Sequence, residues 1–268
     1  MKDTVEIVLA QFNAVVGDLD GNTDRIIKII RNNRSYGTSK ILVFPELALC
    51  GYSPEDLLFR KDFAEAVDKS MAKIASYIEN DEFCILGAPN YSDNYSNIYN
   101  SAYLLNNKEI KSIYDKQILP NYGVFDEKRY FSTGNKNLIF EVEGNKICIM
   151  ICEDLWNYES IHTNKLDDLD FLVSINASPY ENNKDLERIN FFRKLAHKNK
   201  FNIIYLNTVG GQDEIVFDGS SFIIDHEGNI KHKCDAFTEE IYKFSIENKN
   251  FSKNCQFTYE AEDNQFKY

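Results

Sequence analysis

The chain has 268 residues, 43% of them hydrophobic, and carries 30 Lys and Arg against 42 Asp and Glu, a formal net charge of −12. That length suits one large domain or two small ones, and so acidic a chain is a poor match for nucleic acid or an anionic membrane as a main partner. No apolar run approaches the roughly 18 residues of a membrane span, so no membrane partner is expected.

In chain order the apolar runs alternate between strand and helix character. Val5–Ala10 reads as a strand, entered almost at once and without a signal peptide. Asn22–Asn33 has Ile26, Ile27, Ile29 and Ile30 at helical spacing behind an Asn22-Thr23-Asp24 start. Ile41–Phe44 is a buried strand that ends at Pro45-Glu46. Lys61–Ile78 places Phe63, Ala66, Val67, Met71, Ile74, Ala75 and Ile78 on one helix face. Cys84–Gly87 is a strand, and Asn97–Leu105 with Glu109–Tyr114 makes a hairpin around Asn106-Asn107. Leu138–Val142 and Lys146–Ile151 make a second hairpin around Glu143-Gly144-Asn145. Phe171–Ile175 is a strand, Lys184–Lys200 a helix and Asn202–Asn207 a strand. Ser220–Ile224 and Ile230–Lys233 form a last hairpin around Glu227-Gly228.

Strand–helix–strand units bring helices onto sheet faces, and hairpins add antiparallel pairs, so the pattern predicts a mixed-sheet α/β protein of several layers. No linker-like stretch or repeat interrupts it. One domain over residues 1–247 is expected, followed by a polar tail, 248–268, dotted with Phe251, Phe257, Tyr259 and Phe266. The tail is either an arm that packs on a neighbouring copy or a partly disordered segment. The six cysteines show no CxxC pair, and Cys148-x-x-x-Cys152 lacks a second ligand pair at zinc-finger spacing. A reduced, cytoplasmic protein with no disulfide framework and no metal site is the expectation.

Three strand ends carry reactive side chains: Glu46 after Ile41–Phe44, Lys116 after Glu109–Tyr114, and Cys152 after Lys146–Ile151. Ligands and nucleophiles in α/β sheets are presented at such ends. Taken singly each has a bland alternative, a solvated loop acid, a surface lysine and a buried apolar cysteine. Together they have a chemical logic. A thiol is only a few per cent thiolate at neutral pH, and a buried carboxylate can take its proton as attack begins. An ammonium and the backbone N–H of Glu153 can hold the oxyanion of a tetrahedral intermediate. No metal or organic cofactor is required.

Glu46, Lys116 and Cys152, in this order and context, resemble the Glu-Lys-Cys triad of the nitrilase superfamily of carbon–nitrogen hydrolases. Leu9-Ala-Gln-Phe-Asn13 and Gly17-Asp-Leu-Asp-Gly-Asn22 resemble that superfamily's opening, and the likeness runs from about Val5 to about Ile241. It implies a four-layer α-β-β-α sandwich. Within the superfamily, five blocks look like the glutamine-hydrolysing domain of glutamine-dependent NAD synthetase. They are Pro45–Leu57, Leu119–Phe131, Ile151–Trp156, Asn176–Tyr180 and the segment from Asn207 through Gly210-Gly-Gln-Asp-Glu214 and Phe217-Asp-Gly219 to Ser221.

The resemblance implies glutamine as substrate, and Glu127 as a second acid that positions the lysine and substrate. It places Tyr122, Glu153, Ser178 and Lys184 around the amino-acid portion, with Glu153 towards its ammonium and Lys184 towards its carboxylate. Some relatives carry Arg at the position of Lys184, and the two cations are not equivalent. The bland alternatives are a turn aromatic for Tyr122, a turn cap for Ser178, a helix-start acid for Glu153 and a solvated partner of Lys128 or Arg129 for Glu127. Trp156 is core or pocket wall. None of His162, His197, His226 and His232 is assigned catalysis.

The sequence has no Ser-Gly-Gly-x-Asp-Ser pyrophosphate loop, which the family's ATP-using synthetase domain carries. It therefore reads as a stand-alone amidase serving a separate ATP-dependent NAD synthetase, a fragment of a longer product, or an amidase of another small amide or carbamoyl compound. A non-enzymatic scaffold subunit is the contrasting reading. A homo-oligomer is expected from the superfamily's habits.

Overall fold

The computed structural model describes residues 4–34, 37–92, 95–161 and 168–252, and the backbone of 256–257. The first half runs β1 (Thr4–Gln11), α1 (Leu19–Asn32), β2 (Ser39–Val43), α2 (Lys61–Ala75), β3 (Glu82–Tyr91), β4 (Ile98–Asn106) and β5 (Glu109–Asp115). The middle contains α3 (Glu127–Tyr130), β6 (Leu138–Val142), β7 (Asn145–Ile151), α4 (Glu153–Trp156), β8 (Phe171–Asn176), α5 (Lys184–Asn199) and β9 (Asn202–Asn207). The rest is β10 (Val209–Gln212), β11 (Ile215–Asp218), β12 (Phe222–Ile224), β13 (Ile230–Lys233), β14 (Glu240–Glu247) and β15 (Asn250–Phe251).

These strands form two mixed sheets and a small β10–β11 hairpin. One sheet has the order β15-β14-β1-β2-β3-β4-β5, and the other β13-β12-β9-β8-β7-β6. β1, β2 and β3 pair in parallel, as do β7, β8 and β9, while the hairpin strands pair antiparallel.

The runs of continuous apolar residues are explained by strands buried on both faces, with the period of two sorting the faces. In β1, Val5, Ile7 and Leu9 enter the core between the sheets, while Val8 and Ala10 pack under α1 and α2. In β7, Ile147, Ile149 and Ile151 take the inter-sheet core, and Cys148 and Met150 pack with Ile189, Phe192 and Leu195 of α5. β8 repeats the rule, with Phe171, Val173 and Ile175 inward and Leu172 outward. Three apolar layers between four structural layers make the α-β-β-α sandwich. Emptying one such position, as Ile149→Ala, costs about 2–5 kcal/mol at a site with no room to collapse.

Two helices have different ends from those the periodicity predicts. α1 begins at Leu19 because the Asp18 carboxylate accepts the Gly21 N–H at 2.9 Å, the work of an N-cap. Asn22 is then inside the helix and buried, donating to the carbonyls of Val15 (2.8 Å) and Leu49 (3.1 Å). α2 stops at Ala75, and Tyr77 and Ile78 close with i→i−3 bonds, which keeps Ile78 in the core.

Two features were not predicted. β14 pairs along the whole of β1 and alternates buried Tyr242, Phe244 and Ile246 with more exposed polar residues. The glycine-rich block around Gly210 and Gly211 is the β10–β11 hairpin. Past residue 247, Asn250–Phe251 and Gln256–Phe257 pair with β14, so the start of the tail adds to the sheet edge. The remainder of the tail, residues 258–268, lies outside the described residues, as does His162. The five cysteines among the described residues are free. Among those residues no helix is long and apolar enough to cross a membrane.

Candidate active site

Glu46 lies just past β2, Lys116 directly after β5 and Cys152 directly after β7. The fold brings the first two into contact. Glu46 Oε1 accepts from Lys116 Nζ at 2.7 Å and from Asn100 Nδ2 at 2.7 Å. Its Oε2 accepts the backbone N–H of Ala177 at 2.7 Å, across the inter-sheet space. Lys116 Nζ donates also to Glu127 Oε1 at 2.8 Å, and that same oxygen accepts the Tyr52 hydroxyl at 3.0 Å. Relative exposures of 2% for Glu46, 1% for Lys116 and 3% for Glu127 exclude water as the ordinary partner.

An ammonium buried alone would give up its proton. Here burial pulls Lys116 down, but the carboxylates of Glu127 and Glu46 outweigh it and hold its pKa well above the ordinary lysine value. Burial, and then the negative charge of Glu46, push Glu127 up to about 7 against the pull of Lys116. Because that folded-state pKa lies above the ordinary glutamate value of 4.5, the folded protein holds the proton more tightly than the unfolded chain. Stability therefore falls as pH rises from about 4.5 to about 7. Replacing Glu127 by Gln removes this slope. Parallel denaturant titrations should show the wild type losing up to about 3 kcal/mol relative to Glu127→Gln across that window.

Cys152 occupies the turn between β7 and α4 with φ 48° and ψ −104°, a left-handed-side conformation that strains a non-glycine residue by about 1–3 kcal/mol. Its N–H donates to Ile175 O at 3.0 Å. Ile175 lies two residues before Ala177, whose N–H holds Glu46, so both side chains are referenced to the same end of β8. Burial, followed by the charge of Glu46, raises the thiol well above its ordinary pKa, with Lys116 opposing. Burial and the Glu46 charge thus both favour the protonated thiol.

Asp154 fixes the third side of this frame. It is fully buried and accepts the N–H groups of Gln117 (3.0 Å), Ile118 (2.7 Å) and Ile151 (3.3 Å) and the Tyr114 hydroxyl (2.8 Å). One carboxylate thereby ties the turn after Lys116 to the turn that bears Cys152. Burial raises Asp154 to about 6 despite those donors and the charge of Lys116.

Gly87 of β3 sets how closely the backbone beneath Glu46 can approach. A Cβ there would stand 2.2 Å from Pro45 O and 2.5 Å from Leu47 N. Gly87→Ala should cost about 1–3 kcal/mol by overpacking and, by displacing Glu46, about a hundredfold in turnover. Thermal melts and initial rates on the same preparation check both.

The residues assigned to substrate fall into two groups. Tyr122 is 59% exposed and its hydroxyl donates to Glu153 Oε2 at 3.0 Å. Burial and the Glu153 charge push Tyr122 up to about 12, so it stays a donor. Lys184 opens α5, pairs with Glu187 at 3.2 Å and holds its Nζ 5.3 Å from the Trp156 ring centroid. Trp156 belongs to the same short helix as Glu153, so Tyr122 and Lys184 gather at α4, which Glu153 opens. Ser178 is buried, with its N–H on Asn207 Oδ1 (2.9 Å) and its carbonyl on Asn207 Nδ2 (3.1 Å). Glu127 is no solvated partner of Lys128 or Arg129.

Asn100, Tyr52 and Asp154 were missed as contributors. Asn100 gives a signal, an amide inside the apolar strand Ile98–Asn106 that needs a buried partner. Asp154 gives none, because three of its four donors come from chain that only folding brings near.

The profile of the carbon–nitrogen hydrolase family matches residues 7–249. The chain belongs to the carbon–nitrogen hydrolase family. It is 36% identical over 250 residues to the glutamine-dependent NAD(+) synthetase of Acinetobacter baylyi, covering 92% of this chain and 46% of that protein. It is 38% identical over 245 residues to that of Aquifex aeolicus, covering 91% and 42%. Among solved structures, a glutamine-dependent NAD+ synthetase of Acinetobacter baumannii in complex with adenosine diphosphate superposes with a TM-score of 0.87 at 32% identity, over 97% of this chain and 48% of that one. An amidase of the nitrilase superfamily from Nesterenkonia matches in fold, with a TM-score of 0.78 at 20% identity over 91% of each chain. This carbon–nitrogen hydrolase thus spans under half the length of the synthetases it matches.

Proposed function

We propose that this carbon–nitrogen hydrolase releases ammonia from glutamine through a thioester on Cys152. The observation that carries the proposal is the buried Glu46–Lys116–Glu127 cluster set beside the strained Cys152 turn. A buried ion network of this kind is costly to assemble for packing alone. The similarity to glutamine-dependent NAD synthetases supports the substrate, and Tyr122, Glu153 and Lys184 supply groups of both charge signs for an amino acid.

In the proposed cycle Glu46 takes the thiol proton as sulfur attacks the side-chain amide carbon. The charge that develops on oxygen is met by the Lys116 ammonium and the N–H of Glu153, a first-turn amide that the helix ladder leaves without an acceptor. Glu46 then passes the proton to nitrogen, the C–N bond breaks and ammonia leaves. Water attacks the thioester with Glu46 again as base, and sulfur departs to be reprotonated. Glu127 positions Lys116 throughout. The proposed amidase domain takes in residues 1–247. The ammonia would pass to an ATP-dependent NAD synthetase domain or protein, which accounts for the length that the relatives have in excess.

Purified protein should release ammonia from L-glutamine, measured with and without a separate synthetase, and should reject simple amides lacking the α-ammonium and α-carboxylate. Preference for a simple amide or carbamoyl compound would replace glutamine with that substrate. In the same assay Tyr122→Phe, which among the described residues leaves the Glu153 carboxylate held by Asn157 Nδ2 alone (3.2 Å), should raise KM about tenfold and leave kcat nearly unchanged.

A further inference from the structure

Away from Cys152, the described residues hold one group of side chains able to ligate a metal, His232, Cys234 and Glu240. His232 and Cys234 stand two apart, on one side of the chain leaving β13, and Glu240 opens β14. β13 belongs to one sheet and β14 to the other, so the group bridges the two where the chain crosses between them.

One ligand atom from each residue lies within 4.8 Å of the other two, and His232 Nε2 is 3.9 Å from Glu240 Oε1. Zinc-type bonds of about 2.3 Å to sulfur and about 2.0–2.2 Å to nitrogen and oxygen, at tetrahedral angles, separate such atoms by roughly 3.3–3.6 Å. Closing on an ion thus needs shifts of about 1 Å.

Each donor is already oriented. The His232 ring stacks on Tyr242 with centroids 3.7 Å apart and planes 7° apart. The Cys234 N–H is held on Ser221 O at 2.7 Å. Glu240 Oε2 accepts the Asp235 N–H at 3.2 Å. The intervening loop is pinned by Gln11 Nε2, which donates to the carbonyls of Asp235 (2.8 Å) and Thr238 (2.7 Å). Cys234 and the His232 Nε2 atom are buried, and the side chains of His232 and Glu240 keep 16% and 13% of their exposure.

We propose that His232, Cys234 and Glu240 bind one divalent transition-metal ion of the zinc class, with solvent as fourth ligand, and so clasp the two sheets. A nitrogen, a thiolate and a carboxylate suit such an ion, whereas magnesium and calcium prefer oxygen alone. Binding breaks the Cys234 S–H bond and forms a sulfur–metal bond, and one proton goes to the buffer.

The test titrates cobalt(II) and zinc(II) into the tag-free 268-residue chain, both wild type and Cys152→Ala, the latter to remove the proposed nucleophilic thiol. The expected results are one ion per chain, a thiolate-to-cobalt charge-transfer band, release of one proton, and a melting temperature that rises with zinc. Cys234→Ser and, separately, His232→Gln should each weaken binding at least about tenfold and abolish the zinc-dependent shift in melting. Failure of the Cys152→Ala chain to give the charge-transfer band, or binding unaltered by both substitutions, overturns the proposal and leaves a metal-free hydrogen-bonded group. Should Cys234→Ser not fold, His232→Gln and the proton count in wild type decide the matter alone.

Discussion

Lys116→Met should destabilise the protein by about 3–5 kcal/mol at neutral pH and reduce turnover at least a thousandfold. The ammonium is the only cation in contact with two buried carboxylates among the described residues, at 2.7 Å from Glu46 and 2.8 Å from Glu127. Methionine fills a similar volume, so the cost is electrostatic: two negative charges face one another in a dry space. One of them must then take up a proton, which raises its folded-state pKa. The penalty accordingly grows as pH rises above the ordinary carboxylate range and shrinks as pH falls through it. Urea titrations at pH 5 and pH 8 check the sign, with the larger difference from wild type expected at pH 8. Adding Glu127→Gln should recover part of the lost stability and none of the activity.

Cys152→Ala is expected to behave in the opposite way. The proposed chemistry ends with the sulfur, so activity should fall about ten-thousandfold or more. The fold should hardly notice. The backbone N–H of residue 152 still reaches Ile175 O, and alanine meets the same positive φ. A change within about 1 kcal/mol is expected for loss of one small buried group. Measured on one preparation, unchanged denaturation with abolished ammonia release assigns the loss to chemistry. Lys116→Met confounds the two effects, and Cys152→Ala separates them.

The strands that carry the site were legible because burial on both faces writes long apolar runs, and because each run stops at a reactive residue. Ile147–Ile151 ending at Cys152 is the clearest case. Glu127 was legible through resemblance, while its local sequence, Glu127-Lys-Arg, pointed instead to a solvated face. Only the buried Lys116 brought from β5 makes it a core charge. β14 was hidden because its buried Tyr242, Phe244 and Ile246 are interleaved with Lys243 and Ser245, and its partner strand lies at the other end of the chain. Asp154 and the Ala177 N–H were hidden for a related reason. Each works through donors or acceptors supplied by distant segments, and a single side chain carries no mark of the partner it will find. The early start of α1 is a smaller matter of capping, in which Asp18 outcompetes the Asn22-Thr23-Asp24 signal.

The central claim is that Cys152 carries the acyl group of glutamine during turnover. Intact-protein mass spectrometry after acid quench of the enzyme with saturating L-glutamine tests it most directly, with peptide mapping of the adduct. The predicted result is a γ-glutamyl group on Cys152 that decays with release of glutamate and is absent from Cys152→Ala. Ammonia release that persists in Cys152→Ala, or an adduct mapped to another residue, would contradict the account.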